Sequence, residues 1–268
     1  MATLLDRADL DLLGVLRARS TPFRVRGYAG SQLVLDSRAA RLVWRPRWVT
    51  PVYAVPAADV HVPVEPGEAR DLTERERRRP VLDPTVPFDA HTCPGRVVVL
   101  RTARGPVAGF VCDDPDLADV VLVDFDGLSW REEEQEVFAH PRDPSQRIDV
   151  RPASAHLRLS YRGHPVVDTG RARLLWETVL PVRWYVPAED VLAPIEPSGT
   201  VTWCAYKGRA TYRTLVVDGH RLPDLAWVYE RPLSDGEAVR GLLGFWDERL
   251  DVELDGVPQP RRERPLGV

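Results

Sequence analysis

One lysine, Lys207 in the stretch TWCAYKGRATY, stands against 35 arginines. Arginine replaces lysine where only charge or solubility matters, but not where a compact amine, a titratable amine or a nucleophile is needed. The lysine is therefore a candidate functional residue, although a bias toward arginine codons would also leave one lysine behind. Three interpretations stay open: a surface amine, an ion pair with Glu177 or Asp190, or a group that faces a ligand. A ligand-facing lysine would serve as a cation or, if burial lowered its pKa, as a Schiff-base nucleophile.

Aromatic residues are concentrated on both sides of this lysine. The candidate ligand-binding residues are Lys207, Glu177, Tyr206, Trp203, Tyr212, Trp227, Tyr229 and Tyr185. Aromatic residues of strands usually pack into a core, but neighbours along a strand point to opposite faces, so these rings cannot all enter one core. We expect some of them to line a cleft, with Lys207 at its rim or wall. No catalytic residue is assigned, because Cys204 has no histidine nearby in sequence to activate its thiol.

These residues lie in the second of two similar stretches. Residues 34–60 resemble residues 166–191, and RIDV at 147–150 resembles RLDV at 249–252. The matched residues, each 132 positions apart, are Asp36 and Asp168, Arg41 and Arg173, Trp44 and Trp176, and Tyr53 and Tyr185. This repeat predicts an N-terminal helix in 1–20, a degenerate first copy in 21–150 and a second copy in 151–268. The first copy lacks Lys207 and Glu177, so we expect no equivalent polar pocket there.

Short runs of β-branched and aromatic residues, broken by prolines, must position these groups. They predict a mostly β protein of antiparallel sheets with a few short helices. An apolar stripe indicates a helix at 3–18, and Ser234 with Glu237 forms a capping-box signature for another. The charged stretch at 68–80 fits either a short solvated helix or a loop.

Composition excludes several classes of protein. A net charge of −4 and a pI near 5.9 argue against nucleic-acid binding, and no apolar run reaches the roughly 18 residues of a membrane span. Asp6 and Asp9 interrupt the first apolar stretch, which argues against a secretory signal and favours a cytoplasmic location. The three cysteines contain no C-x-x-C pair, so we expect neither a disulfide framework nor a zinc site, and no other metal or cofactor.

The spaced motifs of the second copy are similar to those of domain-of-unknown-function family 427, which is labelled in some collections as a nucleotidyltransferase. The matching residues are Glu177, Tyr185, Pro187, Asp190, Val191, Cys204, Tyr206, Lys207, Gly208, Ala210, Tyr212, Ala226, Trp227, Tyr229, Pro232, Gly241 and Phe245. Ala205 stands where the family usually has proline. The resemblance covers about 166–256 and implies a β-tent type domain with antiparallel sheets around an aromatic cleft, in two tandem copies.

The leading hypothesis is small-molecule binding in an aromatic cleft of the second copy, with Lys207 and Glu177 as its polar groups. Two alternatives stay open: an enzyme of the transferase type, and a module that binds a peptide or a modified side chain. Metal-dependent nucleotidyl transfer needs Gly-Ser followed by paired acids. The nearest acid pair, Asp124 and Asp126, lies in the first copy without a preceding Gly-Ser.

Overall fold

Runs of valine, leucine and aromatic residues form strands along most of the chain, and the expected mostly β, antiparallel architecture is confirmed. The structure is a computed structural model that describes residues 13–178 and 180–261. The chain divides into two units, Met1–Pro144 and Ser145–Val268. Among the described residues, no helix has the length and apolar character needed to cross a membrane.

Within its described residues, 13–144, unit 1 contains eleven strands, one short α-helix and two 3₁₀ turns. The strands are β1 (Arg17–Ser20), β2 (Val25–Ala29), β3 (Gln32–Ser37), β4 (Arg41–Trp44), β5 (Val52–Pro56), β6 (Val64–Pro66), β7 (Gly95–Thr102), β8 (Gly105–Cys112), β9 (Val120–Val123), β10 (Ser129–Glu132) and β11 (Gln135–Val137). The helix is α1 (Glu74–Arg78), and the 3₁₀ turns are Ala57–Asp59 and Pro115–Leu117. A complete capping box of Thr73 and Glu76 begins α1, so the charged stretch forms the short helix rather than only a loop.

Unit 2 also contains eleven strands, with three 3₁₀ segments. The strands are β12 (Ile148–Pro152), β13 (Leu157–Tyr161), β14 (His164–Thr169), β15 (Arg173–Glu177), β16 (Leu180–Val186), β17 (Ile195–Cys204), β18 (Gly208–Val217), β19 (His220–Val228), β20 (Leu243–Phe245), β21 (Asp251–Leu254) and β22 (Val257–Pro258). The 3₁₀ segments are Ala188–Asp190, Ser234–Val239 and Asp247–Arg249.

The two units have the same strand order. The seven-stranded sheet runs β1-β4-β5-β9-β8-β7-β6 in unit 1 and β12-β15-β16-β20-β19-β18-β17 in unit 2. The four-stranded sheets, β11-β10-β2-β3 and β22-β21-β13-β14, correspond in the same way. Each strand of unit 1 thus has a counterpart eleven strands later, which supports the interpretation of two copies.

Strand register corrects two of the sequence matches. Leu42 pairs with Tyr53, and Leu174 pairs with Trp184, so Tyr53 corresponds to Trp184 and not to Tyr185. One residue is lost in the β15–β16 turn, before the tyrosine, where a sequence comparison could not locate it.

By the same register, Tyr185 corresponds to Ala54. Trp227 corresponds to Phe110. Trp227 pairs with Gly244, which pairs with Tyr185 on its other side. Phe110 likewise pairs with Leu122, which pairs with Ala54. RIDV and RLDV do not correspond, because the first lies on β12 in the large sheet and the second leads into β21 in the small sheet.

Both predicted helices need correction. Residues 1–12 lie outside the described residues, but residues 17–20 of the predicted N-terminal helix form β1, whose pairing with β4 overrides the helical pattern. Ser234–Val239 is a 3₁₀ helix without a side-chain cap, since Glu237 forms an ion pair with Arg240 instead of closing a capping box.

Strand alternation gives the large sheet of unit 2 two different faces. One face packs on the small sheet and includes Trp184, Ala226 and Val228 in the main core. The residues between them, Tyr185 and Trp227, point to the other face and form a second, mostly aromatic cluster. We call this second face the pocket face, because it carries the cavity described below.

The boundary between the units lies between Pro144 and Ser145 rather than after residue 150. The predicted boundary would cut β12, whose five residues pair with β15 from Ile148 opposite Glu177 to Pro152 opposite Arg173. Ile148 and Val150 also pack against the aromatic cluster of the pocket face. The start of β12 is therefore part of unit 2.

A polypeptide of residues 145–268 should unfold cooperatively, whereas one of residues 151–268 should be less stable by about 2 kcal/mol. The shorter piece loses Ile148, Val150 and half of a paired strand, and each half-buried apolar side chain contributes on the order of 1 kcal/mol. Urea denaturation followed by circular dichroism measures both. Equal stabilities would contradict the revised boundary.

Candidate functional site

Glu177 reaches the pocket face because it is the last residue of β15, two positions beyond the buried Leu175. The residue between them, Trp176, points to the opposite side and is 46% exposed. The carboxylate is buried, and its Oε1 accepts a hydrogen bond from Gln146 Nε2 at 3.2 Å. The carboxylate therefore lies within the sheet face rather than in solvent.

Lys207 lies in the turn between β17 and β18, and neighbouring backbone fixes its position. Gly208 has a φ of +88°, which glycine adopts without strain, so the chain reverses directly after the lysine. The Lys207 carbonyl accepts from the amide of Leu233 at 3.1 Å. A Cβ on Gly236 would lie 3.2 Å from the Cα and Cβ of Lys207, so the 3₁₀ segment Ser234–Val239 packs directly on this residue.

Lys207 and Glu177 form a buried ion pair. Nζ of Lys207 donates to Oε2 of Glu177, and the two side chains are only 8% and 9% exposed. Of the three interpretations of the lysine, a surface amine is wrong. Asp190 is not its partner, because that carboxylate binds Thr169 and Arg171. The lysine is ion-paired and also lines a cavity.

The electrostatic environment keeps the lysine charged. Burial by itself would lower the pKa of Lys207, but the nearby Cys204 and the Glu177 carboxylate outweigh it and hold this pKa above the ordinary value of 10.5. Of these two, the carboxylate is the partner that Nζ contacts directly through a hydrogen bond. A charged ammonium is not nucleophilic, so the geometry does not favour Schiff-base chemistry.

A cavity of about 500 Å³ opens on the pocket face beside this ion pair. Its walls are mainly apolar and aromatic, which is typical of a small-molecule site. The wall residues are Leu175, Glu177, Leu180, Pro181, Arg183, Tyr185, Lys207, Tyr212, Asp224, Trp227, Tyr229, Trp246, Glu248 and Arg249.

Trp227 is the central ring of this wall. Its Nε1 donates to the hydroxyl of Tyr185 at 3.0 Å, and its ring centroid lies 4.9 Å from that of Trp246. A Cβ on Gly244 would lie 2.7 Å from the Trp227 ring, so only glycine lets the indole lie against β20. Burial raises the pKa of Tyr185 to about 12, so this phenol keeps its proton.

A second polar cluster lies beyond Trp246. Arg183 donates to Glu248 at 2.6 Å and to Asp247, and its guanidinium lies 5.2 Å from the centre of the Trp246 ring. Burial would raise the pKa of Glu248, but the hydrogen bond from Arg183 outweighs it and lowers this pKa. The wall thus contains two ion pairs connected by aromatic rings.

The structure brings together six of the eight predicted site residues: Lys207, Glu177, Tyr185, Tyr212, Trp227 and Tyr229 all line the cavity. Two do not. Trp203 lies on the edge strand β17 and is 44% exposed, while Tyr206 is buried in the turn, where strand alternation no longer applies.

Sequence reasoning missed Arg183, Asp224, Glu248 and Arg249, and it did not include Trp246 in the site. Arg183 could have been found, because it precedes Tyr185 by two positions on β16 and so shares its face. Asp224 has a φ of +52°, and Glu248 lies in a 3₁₀ turn, so no strand periodicity indicates where either side chain points.

One family model matches most of the second unit. Residues 149–256 match the model of a family described as a domain of unknown function, DUF427, whose short name denotes a nucleotidyltransferase. This match lies within unit 2. The predicted resemblance is thereby confirmed for unit 2. No curated protein matches the chain.

Several residues that match the family motifs have clear structural roles in unit 2. Glu177 and Lys207 form the ion pair, Gly208 allows the turn after the lysine, and Tyr185 and Trp227 form the hydrogen-bonded aromatic pair. Ala205, in place of the usual proline, is buried within the same turn. Among the described residues, no group of three or more His, Cys, Asp or Glu side chains is placed to hold a metal ion.

Replacing Lys207 with methionine should lower the free energy of unfolding by about 3 kcal/mol, because Glu177 is then buried without its cation. The double variant Lys207→Met with Glu177→Leu should recover most of this loss, since an apolar pair needs no charge compensation. Urea denaturation measures both variants. A double variant no more stable than the single one would contradict the ion pair as the source of the cost.

The conservative replacement Lys207→Arg also tests the burial of this residue. A lysine at an exposed rim would tolerate arginine with little change in stability. Because Lys207 is buried against the 3₁₀ segment, we instead expect a loss of about 1–3 kcal/mol from overpacking.

Replacing Gly244 with alanine should destabilise the protein by about 1–3 kcal/mol and displace Trp227, because the added methyl would overlap its ring. Gly170→Ala is the matched control, since its Cβ would meet only His156 Nδ1, at 3.8 Å. Thermal unfolding and near-ultraviolet circular dichroism follow stability and indole packing. Equal effects of the two substitutions would show that Gly244 is not required for the wall.

Proposed function

We propose that unit 2 binds a small, flat, largely apolar molecule in the cavity on its pocket face. The single observation that carries this proposal is the aromatic cavity of about 500 Å³ with a buried Lys207–Glu177 pair in its wall. Cavities of this size and character enclose most of a small organic ligand. Tyr212, Trp227 and Trp246 supply faces on which a planar ring can stack.

The ion pair indicates which hydrogen-bonding groups a ligand should present to Lys207 and Glu177. The ammonium has three N–H groups and uses one on Glu177, so it can donate to a ligand oxygen, while the carboxylate has lone pairs for a ligand N–H. The pair is neutral as a whole, which favours an uncharged partner. A planar ring with an adjacent carbonyl and N–H, as in a cyclic amide, presents the complementary edge.

Binding is favoured over the two alternatives for specific reasons. The raised pKa of Lys207 does not support covalent catalysis, and no described acid cluster on the pocket face supports metal-assisted nucleotidyl transfer. The module for peptides or modified side chains remains an alternative, in which the same cavity holds one side chain. A small-molecule partner and a cytoplasmic location both stay predictions.

Ligand-observed NMR on the full-length chain tests the proposal, with a library of planar heterocycles. We expect hits that compete for one site and contain adjacent N–H and carbonyl groups. Trp246→Ala should weaken these hits at least tenfold, because it removes a stacking face worth more than about 1.4 kcal/mol. Trp203→Ala is the matched control and should leave binding unchanged, since that indole lies outside the cavity.

Two results would contradict the proposal. Equal weakening by Trp203→Ala and Trp246→Ala would place binding elsewhere. Binding that persists in both variants would show that the pocket face is not the site. Native mass spectrometry of gently purified protein adds an independent check, because a mass that co-purifies with the wild type should be lost in Trp246→Ala.

A further inference from the structure

Unit 1 has its own cavity on the corresponding face of its large sheet. It has a volume of about 150 Å³ and differs in size and in polar groups from the cavity of unit 2, whereas the sequence predicted no equivalent polar pocket there. Three wall positions correspond by register to wall positions in unit 2: Arg45 to Glu177, Val52 to Arg183, and Asp124 to Trp246. Unit 1 therefore has a basic residue, Arg45, at the position where unit 2 has the acidic Glu177.

Arg45 is a buried cation that no carboxylate neutralises. It is 1% exposed, and among the described residues no Asp or Glu oxygen lies within ion-pair distance of its guanidinium. Nη1 donates to the Phe88 carbonyl at 2.6 Å and to His91 Nδ1 at 3.0 Å, whereas Nη2 has no hydrogen-bond partner. Burial lowers the pKa of Arg45 only to about 10, so it stays charged at neutral pH.

The groups around Arg45 hold it without cancelling its charge. Its guanidinium carbon lies 4.3 Å from the centre of the Trp48 ring and 4.6 Å from that of Phe88, so two rings fix the planar group. Burial, together with the charge of Arg45, lowers the pKa of His91 to about 4, so His91 is neutral and acts as an acceptor. An uncompensated buried charge is costly, and a small anion would remove that cost.

The geometry points to a carboxylate-binding site in unit 1, in which Arg45 receives a small monocarboxylate with a compact apolar or single-ring body. A guanidinium matches a carboxylate with two parallel N–H donors. The walls contributed by Trp48, Val52, Val86 and Phe88 are apolar, which favours a carboxylate with an apolar body over phosphate, whose oxygens all need polar partners. A cavity of about 150 Å³ is large enough for one benzene-sized ring.

Asp124 and Asp126 line the same cavity, and the charge of each opposes an anion. Burial raises the pKa of Asp124, and its Oδ1 accepts from the amide of Asp126 at 3.3 Å. Asparagine at this position retains an oxygen for that hydrogen bond but removes the charge. The Asp124→Asn variant should therefore bind a carboxylate more tightly with Arg45 untouched.

The test uses fluorine NMR of the full-length protein with 4-fluorobenzoate as the probe and 4-fluorotoluene, which has neither a charge nor an amide, as its neutral counterpart. We expect saturable binding of the benzoate and at least tenfold weaker binding of 4-fluorotoluene. Arg45→Gln should weaken the benzoate at least tenfold, as expected for loss of a charge-assisted hydrogen bond. Asp124→Asn should tighten it about threefold, and Tyr212→Ala in unit 2 should leave it unchanged.

Several outcomes would overturn the site. No saturable binding of 4-fluorobenzoate to the wild type is one, and equal affinities for 4-fluorobenzoate and 4-fluorotoluene are another. If Arg45→Gln unfolds, the Asp124→Asn variant still decides, because unchanged or weaker benzoate binding would refute an anion held beside Asp124. Loss of binding in Tyr212→Ala would assign the probe to unit 2 instead.

Discussion

The ion pair between Lys207 and Glu177 is the constraint on which the second unit depends. Two charges removed from water must compensate each other, and their remaining hydrogen-bonding groups must be satisfied. The structure meets this demand with residues far apart in sequence: Gln146 before β12 binds the carboxylate, and Gly208 and Gly236 allow close backbone packing around the lysine. A polar pair inside an aromatic face thus needs support from most of the large sheet.

A comparison of the two units shows what changes when that constraint is absent. The strand order is the same, but Arg45 stands where Glu177 stands, and Ala54 stands where Tyr185 stands. Unit 1 fills the remaining space with Phe88 and Val86, which follow the charged insertion that unit 2 lacks. One sheet topology therefore supports two cavities of different volume and with different polar groups, because the strands specify positions and not chemistry.

Strand alternation explains how much of the site the sequence could predict. On β15, β18 and β19 the aromatic and acidic residues sit at strand positions, so a period of two assigns Glu177, Tyr212 and Trp227 to one face. The same rule fails at Tyr206, which lies in a turn, and at Trp203, which is 44% exposed on the edge strand β17. The pairing of Arg183 with Glu248 required three-dimensional information, since the two residues meet across 65 positions. The helix at 234–239 was misjudged because a local capping pattern cannot show that Glu237 pairs with Arg240 instead.

The single lysine also has a physical explanation at this position. The 3₁₀ segment Ser234–Val239 packs on the Cα and Cβ of Lys207, and the ammonium must meet one carboxylate oxygen within a closed aromatic wall. A planar guanidinium has five N–H donors, and each would need a partner in that space. At position 45, by contrast, arginine is accommodated because two rings lie over its faces and a backbone carbonyl accepts one of its donors. The space around position 207 has too few acceptors for a guanidinium, so lysine is favoured there. At position 45 the two aromatic rings accommodate arginine.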